Sequence, residues 1–337
     1  MDHYNAIIDE SKCVNCGICH QTCPISNVPE KIEPIQWIQG WSKDLQTREE
    51  SASGGYATAI SKKFVSDGGI VCSCIFNEGR FFFDFADSVE KISRFTGSKY
   101  VKSDAYGIYK KILECLKGNN RVLFIGLPCQ VAALKNYIPA NVQENLYLID
   151  LICHGAPSYT TFNYFMNGRK IEWKDSKKAF FRINNKYQIG FDGESICTTG
   201  VSDCYSLAFI KNLIQPEACY ECQYSGTKRV SDLTLGDSWG NKIDGQEKKG
   251  VSLAMAQNSK GLELLDCDEI YFQDVDIENA IRCNAQLNGP AIKSQKRDKV
   301  LDALKVGKDF DITVFKALPR DVVKQKVKAF LIKLHIV

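Results

Sequence analysis

Four cysteines near the N-terminus have the spacing of an iron–sulfur ligand run. Cys13, Cys16, Cys19 and Cys23 form the pattern C-x2-C-x2-C-x3-C, and a proline follows directly. Two-residue gaps wrap a tight loop around a cubane cluster, so three thiolates reach three irons while backbone N–H groups point at the sulfides. A zinc knuckle is the alternative, but zinc sites normally use two separated cysteine pairs. The run therefore predicts a 4Fe–4S cluster.

The fourth cysteine of this run has two readings. In two-cluster ferredoxins the fourth cysteine ligates the other cluster, and this chain contains one such run. Cys23 therefore either closes the cluster of its own run or is free, with another cysteine completing the site. We include it among the predicted ligands with Cys13, Cys16 and Cys19.

A second set of cysteines is dispersed along the chain. Cys129 and Cys153 each follow a short apolar run, and Cys219 and Cys222 form a C-x2-C pair. Four thiolates are enough for a second 4Fe–4S cluster or for an all-cysteine zinc site. Spacing alone leaves both possibilities open.

The elements around these cysteines predict that some of them meet. The apolar runs 121–126 and 146–152 indicate strands, with a helix from Gln130 between them. Strands joined by a helical crossover usually pair in parallel, and ligands bind at the carboxyl edge of such sheets. Cys129 and Cys153 are therefore expected side by side. Cys72 and Cys74 alternate with apolar residues in another predicted strand, and we interpret them as packing residues.

Six motifs occur in the order that is seen in one known family. They are Ser53-Gly54-Gly55, Gly97-Ser98-Lys99-Tyr100-Val101, Gly126-Leu127-Pro128-Cys129-Gln130, Asp150-Leu151-Ile152-Cys153-His154-Gly155, the pair Cys219 and Cys222, and the segment 231–240. From about residue 10 to residue 265 the chain resembles the coenzyme F420 hydrogenase/dehydrogenase beta-subunit family. This resemblance implies that the protein binds FAD beside a 4Fe–4S cluster held by Cys129, Cys153, Cys219 and Cys222. The arm resembles the ferredoxin segment of many members, but has one cysteine run where two are frequent.

The glycine-rich motifs also suit a flavin nucleotide on chemical grounds. The glycines before the helix predicted from Tyr56 offer bare N–H groups and a positive helix end to a pyrophosphate. Such a segment is usually only a turn and cap, so the assignment depends on its combination with the cysteines. The candidate cofactor-binding residues are Ser53, Gly54, Gly55, Gly97, Ser98, Lys99, Tyr100, Gly126 and Pro128.

These features predict an α/β fold with a mixed sheet of strand–helix–strand units, a small ferredoxin-like arm before it and a basic amphipathic helical tail after it. The predicted divisions are a 4Fe–4S arm at 1–30, a connector at 31–50, a flavin and cluster region at 51–158, the C-terminal region of the beta-subunit family at 159–270, and the tail at 271–337.

The composition restricts the class of protein. The net charge of +3 gives no indication of nucleic-acid binding. The chain has fifteen cysteines, an odd number, so disulfides cannot pair them all. The N-terminus lacks the pattern of a signal peptide, and no apolar run approaches the roughly 20 residues of a membrane-spanning helix. We therefore expect a cytoplasmic protein, where clustered cysteines bind metal or do redox chemistry.

The tail is basic, with 12 Lys and Arg against 5 Asp from Lys293 onward. Its apolar residues Val322, Val323, Val327, Phe330, Leu331 and Leu334 alternate with Lys324, Lys326, Lys328 and Lys333. This pattern is typical of a helix that docks on a partner or on an anionic membrane surface. A helix packed on its own core is the alternative.

The predicted function is an iron–sulfur flavoprotein oxidoreductase. It would pass electrons between the arm cluster, the second cluster, FAD and a small-molecule acceptor or donor, such as deazaflavin F420. An electron-transfer subunit that serves a partner enzyme, for example in surface polysaccharide biosynthesis, is a second hypothesis. A zinc-stabilised binding protein is the third. A redox partner protein or ferredoxin is expected, and no catalytic side chain is assigned.

Overall fold

A computed structural model describes residues 7–169, 171–183, 186–246 and 249–336. The strands are β1 Gln36–Ser42, β2 Ile70–Asn77, β3 Arg80–Ala86, β4 Val122–Gly126, β5 Leu146–Leu151, β6 Ala179–Ile183, β7 Lys186–Phe191, β8 Glu194–Ser195, β9 Leu233–Asp237, β10 Ser252–Ala256 and β11 Ile270–Asp274. The helices are α1 Ile18–Thr22, α2 Leu45–Glu50, α3 Tyr56–Ser66, α4 Val89–Ile92, α5 Ile108–Lys117, α6 Pro128–Tyr137, α7 Tyr159–Asn167, α8 Cys204–Ile210, α9 Ser259–Leu265, α10 Ile277–Cys283, α11 Ala285–Asn288, α12 Arg297–Lys305, α13 Phe310–Ala317 and α14 Pro319–Lys333. Short 3-10 helices cover Ser93–Phe95, Ala140–Asn145, Trp173–Asp175 and Glu217–Cys219.

Most strands of the described residues form one mixed sheet, in the order β11-β1-β10-β9-β5-β4-β2-β3. Strands β2, β4, β5 and β9 are parallel neighbours, and the other four join them in antiparallel pairs. This arrangement confirms the predicted α/β fold and the parallel pairing of the strands that precede Cys129 and Cys153. The carboxyl ends of the four parallel strands open onto one edge, where ligands bind in open α/β sheets.

The predicted connector at 31–50 belongs to the main sheet, which corrects the interpretation of that segment. Strand β1 lies between β10 and β11. Its sequence includes Gly40, where an added Cβ would come 1.9 Å from the carbonyl oxygen of Tyr271. This close approach requires glycine, and a glycine among glutamines hides the strand from a search for apolar alternation. The divisions at 158 and 271 also cut through this sheet, since β5 pairs with β9 and β11 pairs with β1.

A second core, rich in aromatic residues, lies beside the main sheet. It is built from the sheet β6-β7-β8 and from α7, α8, α12 and α13. Phe81 of β3 packs edge-on against Phe162 of α7, with ring centroids 5.3 Å apart. Such contacts fix the aromatic core against the large sheet. Within the described ranges, no helix has the length and apolar character needed to cross a membrane.

Candidate functional site

Cys129 lies in the first turn of α6, where the chain leaves β4. Pro128 occupies the first position of this helix, where its missing N–H needs no partner. The side-chain oxygen of Gln130 accepts a hydrogen bond from the backbone N–H of Leu127 at 3.0 Å. This closed turn holds the Cys129 thiol at the carboxyl edge of the sheet, as predicted.

Cys153 follows β5 at the same edge. The N–H of Ile152 donates to the carbonyl oxygen of Leu235 at 2.9 Å, so the parallel pairing with β9 extends to the residue before the cysteine. Gly155 has a φ of +115°, which glycine adopts readily, and its N–H donates to the Cys153 sulfur at 3.3 Å. A Cβ added at Gly155 would lie 3.6 Å from the Cβ of Cys219. The turn after β5 therefore passes close to the C-x2-C loop.

A buried arginine of α12 fastens the loop that carries Cys219 and Cys222. Nε and Nη2 of Arg297 donate to the carbonyl oxygen of Gln215 at 3.0 and 2.9 Å. Nη1 pairs with the carboxylate of Glu217 at 2.9 Å. Charge-assisted bonds of this kind are strong when the arginine is buried, and Arg297 is 2% exposed. Sequence analysis missed it because it lies in the basic tail and matches no motif.

The four dispersed cysteines line one cavity of about 760 Å³. Cys129 and Cys222 pack against the same small apolar cluster, which includes Tyr224. The cavity is also lined by Cys153 and Cys219. The structure therefore brings together the cysteines that the sequence predicted to meet from three distant segments.

The chemistry of this donor set fits a metal centre with thiolate ligands. Burial raises the pKa of Cys129 to about 11 and also raises the pKa values of Cys153 and Cys219, with a smaller contribution from neighbouring thiols. Several buried thiolates repel one another unless a cationic centre binds them. Within the described part of the chain, no group of three or more His, Cys, Asp or Glu side chains is drawn together around a single ion position. The thiols line a space of cofactor size instead.

The N-terminal cysteines lie on a loop around the short helix α1. Cys13, Cys16 and Cys19 are exposed, and Cys23 is half-buried. Asn15 and Gly17 have φ values of 53° and 72°, which bend the loop tightly. The Cys23 N–H donates to the carbonyl oxygen of Cys19 at 3.1 Å. A hydrogen bond from the backbone N–H of Ser26 lowers the pKa of Cys23, which favours the thiolate.

The arm packs against the dispersed cysteine site. The hydroxyl of Tyr224 donates to the carbonyl oxygen of Pro24. The side-chain amide of Asn136 in α6 donates to the carbonyl oxygen of Asn27 at 2.8 Å. Pro24 and Ile25 line the cysteine cavity. Tyr224 therefore joins the loop of one cysteine set to the loop of the other.

A second cavity of about 320 Å³ adjoins the cysteine cavity, and we call it the glycine-rich cavity. It is lined by the predicted cofactor residues Ser53, Gly55, Gly97, Ser98, Lys99, Tyr100 and Gly126. Leu127, Cys153, His154 and Gly155 line both cavities. A cofactor in one cavity would therefore lie next to a cofactor in the other.

Two predicted cofactor residues have other positions. Pro128 lines the cysteine cavity. Gly54 packs between β1 and β10, where an added Cβ would come 2.4 Å from the oxygen of Gly40 and 2.5 Å from the nitrogen of Ser252. It is not among the residues that line the glycine-rich cavity. Gly54 thus shapes the entry to α3, while Gly55, with a φ of +90°, caps that helix.

The first turn of α3 opens into the glycine-rich cavity, where residues 55–58 line the wall. This end of a helix presents unpaired N–H groups and a partial positive charge. Lys99 adds a buried amine, which donates to the carbonyl oxygens of Phe95 and Thr96 at 2.8 and 3.0 Å. Burial lowers the pKa of Lys99 to about 8. A bound anion would favour its charged form.

One of the two cysteines interpreted as packing residues lies in this cavity. Cys72 is buried in the core, as expected, but Cys74 lines the glycine-rich cavity. Its sulfur lies 2.7 Å from the hydroxyl oxygen of Ser103. Residues two apart share a face of a strand, and only the one nearer the carboxyl edge reaches the opening.

The small sheet contributes a wall that the sequence did not reveal. Nη1 of Arg182, in β6, donates to Oδ2 of Asp237 at 2.7 Å. Its guanidinium lies 5.5 Å from the ring centroid of Tyr187 and 5.2 Å from that of Trp239. Burial raises the pKa of Asp237, although Arg182 opposes this shift. Asp237 and Trp239 belong to the family motif at 231–240, but the sequence gives no signal for Arg182 or Tyr187, because no motif surrounds them.

A third cavity, of about 470 Å³, continues from the glycine-rich cavity. Ser53, Gly97, Ser98 and Arg182 line both. Arg48 and Lys249 add two further basic side chains to its wall. Arg48 is held by two hydrogen bonds to the carbonyl oxygen of Gly250, at 3.0 and 2.8 Å. Glu49 and Glu50 also line this cavity, so its wall carries charges of both signs.

The fold and the two cysteine sets define an α/β protein with an N-terminal iron–sulfur segment. Residues 6–26 match the model of the 4Fe-4S binding domain, which confirms the predicted 4Fe–4S arm. Residues 119–278 match the family described as the C terminus of the coenzyme F420 hydrogenase/dehydrogenase beta subunit. This match confirms, over these residues, the similarity to that family that the motifs predicted. The two matches together indicate an iron–sulfur electron-transfer oxidoreductase.

A solved structure has the same fold. A chain of the F420-reducing NiFe hydrogenase complex from Methanosarcina barkeri, studied by xenon derivatization, is 15% identical to this protein with a TM-score of 0.53. The match covers 83% of this chain and 95% of that one. A search of curated proteins gives no match.

Proposed function

We propose that this protein is an iron–sulfur flavoprotein oxidoreductase with a 4Fe–4S cluster in the arm, a second 4Fe–4S cluster at the dispersed cysteines, and FAD between them and a small-molecule substrate. One observation carries the proposal. The cavity of Cys129, Cys153, Cys219 and Cys222 shares its wall with the glycine-rich cavity. Adjacent sites for a one-electron centre and a flavin are what an electron relay requires.

The chain's own residues bind and orient these groups. The N–H groups at the start of α3 and the Lys99 amine would hold phosphate oxygens of FAD. Tyr100 stacks on Phe209 with ring centroids 4.7 Å apart, which stiffens the cavity wall. FAD, when bound, supplies the exchange between one-electron and two-electron chemistry. Arg182, held by Asp237, would orient an anionic substrate at the mouth of the third cavity.

The proposed substrate is a small redox molecule, with deazaflavin F420 as the first candidate. The description of the family and the F420-reducing activity of the similar hydrogenase complex support this candidate. A second candidate function is an electron-transfer subunit that delivers electrons to a partner enzyme. The similarity to a chain of a hydrogenase complex favours it.

All fifteen cysteines are free, which supports a place in the reducing cytoplasm.

The test is anaerobic reconstitution of the full chain with iron, sulfide and FAD. We expect about eight irons and one FAD per chain, in two cubane clusters, with the visible absorption of both cofactor types. A colourless protein that retains zinc and no flavin would support the zinc-stabilised binding protein instead. Turnover of deazaflavin by the isolated chain with a chemical reductant separates the enzyme from the electron-transfer subunit.

A further inference from the structure

Helix α14 packs on the body of the protein with a face of mixed polarity. Lys328 donates to the carbonyl oxygen of Gly200 at 2.7 Å, and Gln325 accepts a hydrogen bond from the N–H of Ser202 at 3.0 Å. Val322 is the buried apolar residue of this face. Of the apolar residues that the sequence placed on one face, Val322 and Leu331 are therefore buried or half-buried, and the other four are exposed.

The opposite side of α14 exposes a narrow apolar stripe. It consists of Val323, Val327, Phe330 and Leu334, which are between 47% and 61% exposed. Steps of four, three and four residues place them in one row along the helix. Ile312 and Phe315 of α13 are also exposed, and they extend the apolar surface beyond α14.

Basic side chains flank this stripe on both sides. With 3.6 residues per turn, Lys326 and Lys333 fall on one side of the row, and Arg320 and Lys324 fall on the other. All four are exposed. The Lys326 amine lies 5.7 Å from the ring centroid of Phe315, so the positive border also reaches α13. Helix α14 contains five basic residues and one acidic residue.

We propose that α14, together with the exposed face of α13, docks on the surface of an anionic lipid bilayer. Helices with this distribution lie in the plane of the interface, with apolar side chains below the headgroups and lysines among them. Because α14 is held to the protein along its inner side, its outer face lies along the protein surface, where a flat bilayer can contact it. A second copy of the chain would bring basic borders together, which like-charge repulsion opposes.

The test is sedimentation of the full chain with lipid vesicles. We expect binding to vesicles with roughly 30% phosphatidylglycerol in phosphatidylcholine and little to pure phosphatidylcholine, with loss of binding at high salt. The double variant Phe330→Ser/Leu334→Ser should abolish binding. The double variant Lys326→Glu/Lys333→Glu should reduce it by about 25-fold or more, since each lysine near such a surface contributes about fivefold. The matched control is Lys110→Glu on α5, an exposed charge reversal that should leave binding near its original level.

Three results would overturn the proposal. They are no binding to anionic vesicles, equal binding to both vesicle types, and unchanged binding by the two double variants. Stripe-dependent retention of an acidic protein without vesicle binding would also overturn it and assign the surface to a protein partner. The variant sites are exposed, so circular dichroism and thermal unfolding should show intact folding and keep each outcome interpretable.

Discussion

Tyr224 is expected to control how closely the arm is held to the dispersed cysteine site. Its hydroxyl donates to the carbonyl oxygen of Pro24, and its ring packs beside Cys129 and Cys222. Burial raises the pKa of Tyr224 to about 12, so the hydroxyl keeps its proton at neutral pH. Tyr224→Phe therefore removes the hydrogen bond while it leaves the ring in place.

The expected cost follows from one buried hydrogen bond. Such a bond contributes about 1 kcal/mol net, which corresponds to a roughly fivefold increase in the population with an undocked arm. In limited proteolysis of the apoprotein, cleavage near the arm should accelerate by about this factor when opening precedes cutting. In the reconstituted protein, magnetic coupling between two reduced clusters should weaken in the same variant.

The matched control is Tyr220→Phe. Its hydroxyl donates to the carbonyl oxygen of Asn212 at 2.9 Å, within the same part of the protein but away from the arm. Deletion of residues 1–30 gives the limit of a fully absent arm. It should remove about four irons per chain and leave the flavin, because none of the arm residues that the structure describes, 7–30, lines the glycine-rich cavity. Equal cleavage in Tyr224→Phe, Tyr220→Phe and the unmodified protein would refute the reasoning.

Three further predictions concern the cavities. Cys153→Ala should lose about four irons and weaken flavin retention, whereas Cys72→Ala should keep both. Assays of iron and flavin per chain test this. Full iron in Cys153→Ala would show that the wrong cysteine has been assigned. Gly54→Ala should lower the melting temperature by about 4 °C, for a cost of about 3 kcal/mol from contacts with two backbone atoms. An added Cβ at Gly97 would meet open space, so Gly97→Ala should lower the melting temperature by only about 1 to 2 °C but weaken FAD binding. Equal melting shifts in the two variants would contradict the different roles given to Gly54 and Gly97. Burial lowers the pKa of Lys99 from 10.5 to about 8, so the unfolded apoprotein binds more protons than the folded one between these pH values. The free energy of unfolding should therefore rise with pH across this window, by at most about 3 kcal/mol. Chemical denaturation at several pH values measures this rise, and the same pH profile in Lys99→Met would contradict it.

Local sequence patterns predicted much of the proposed electron-transfer site. The spacing of Cys13, Cys16 and Cys19 indicates a cubane because ligand geometry acts over a few residues. The order of strand, helix and strand predicted that Cys129 and Cys153 would share an edge, since crossover connections have few solutions. The structure confirms that pairing of the strands.

Other features depended on contacts between distant segments. Strand β1 has no clear alternation, and its place between β10 and β11 depends on pairing with distant strands and on the close approach of Gly40 to the backbone of β11. Arg182 and Arg297 have no local motif, and their roles come from partners far away in the sequence. Periodicity revealed the amphipathic tail, but it cannot say which face of a helix meets the body. That choice depends on the groups that the neighbouring surface offers, and in α14 the backbone at Ser202 and Gly200 binds Gln325 and Lys328 of the inward face.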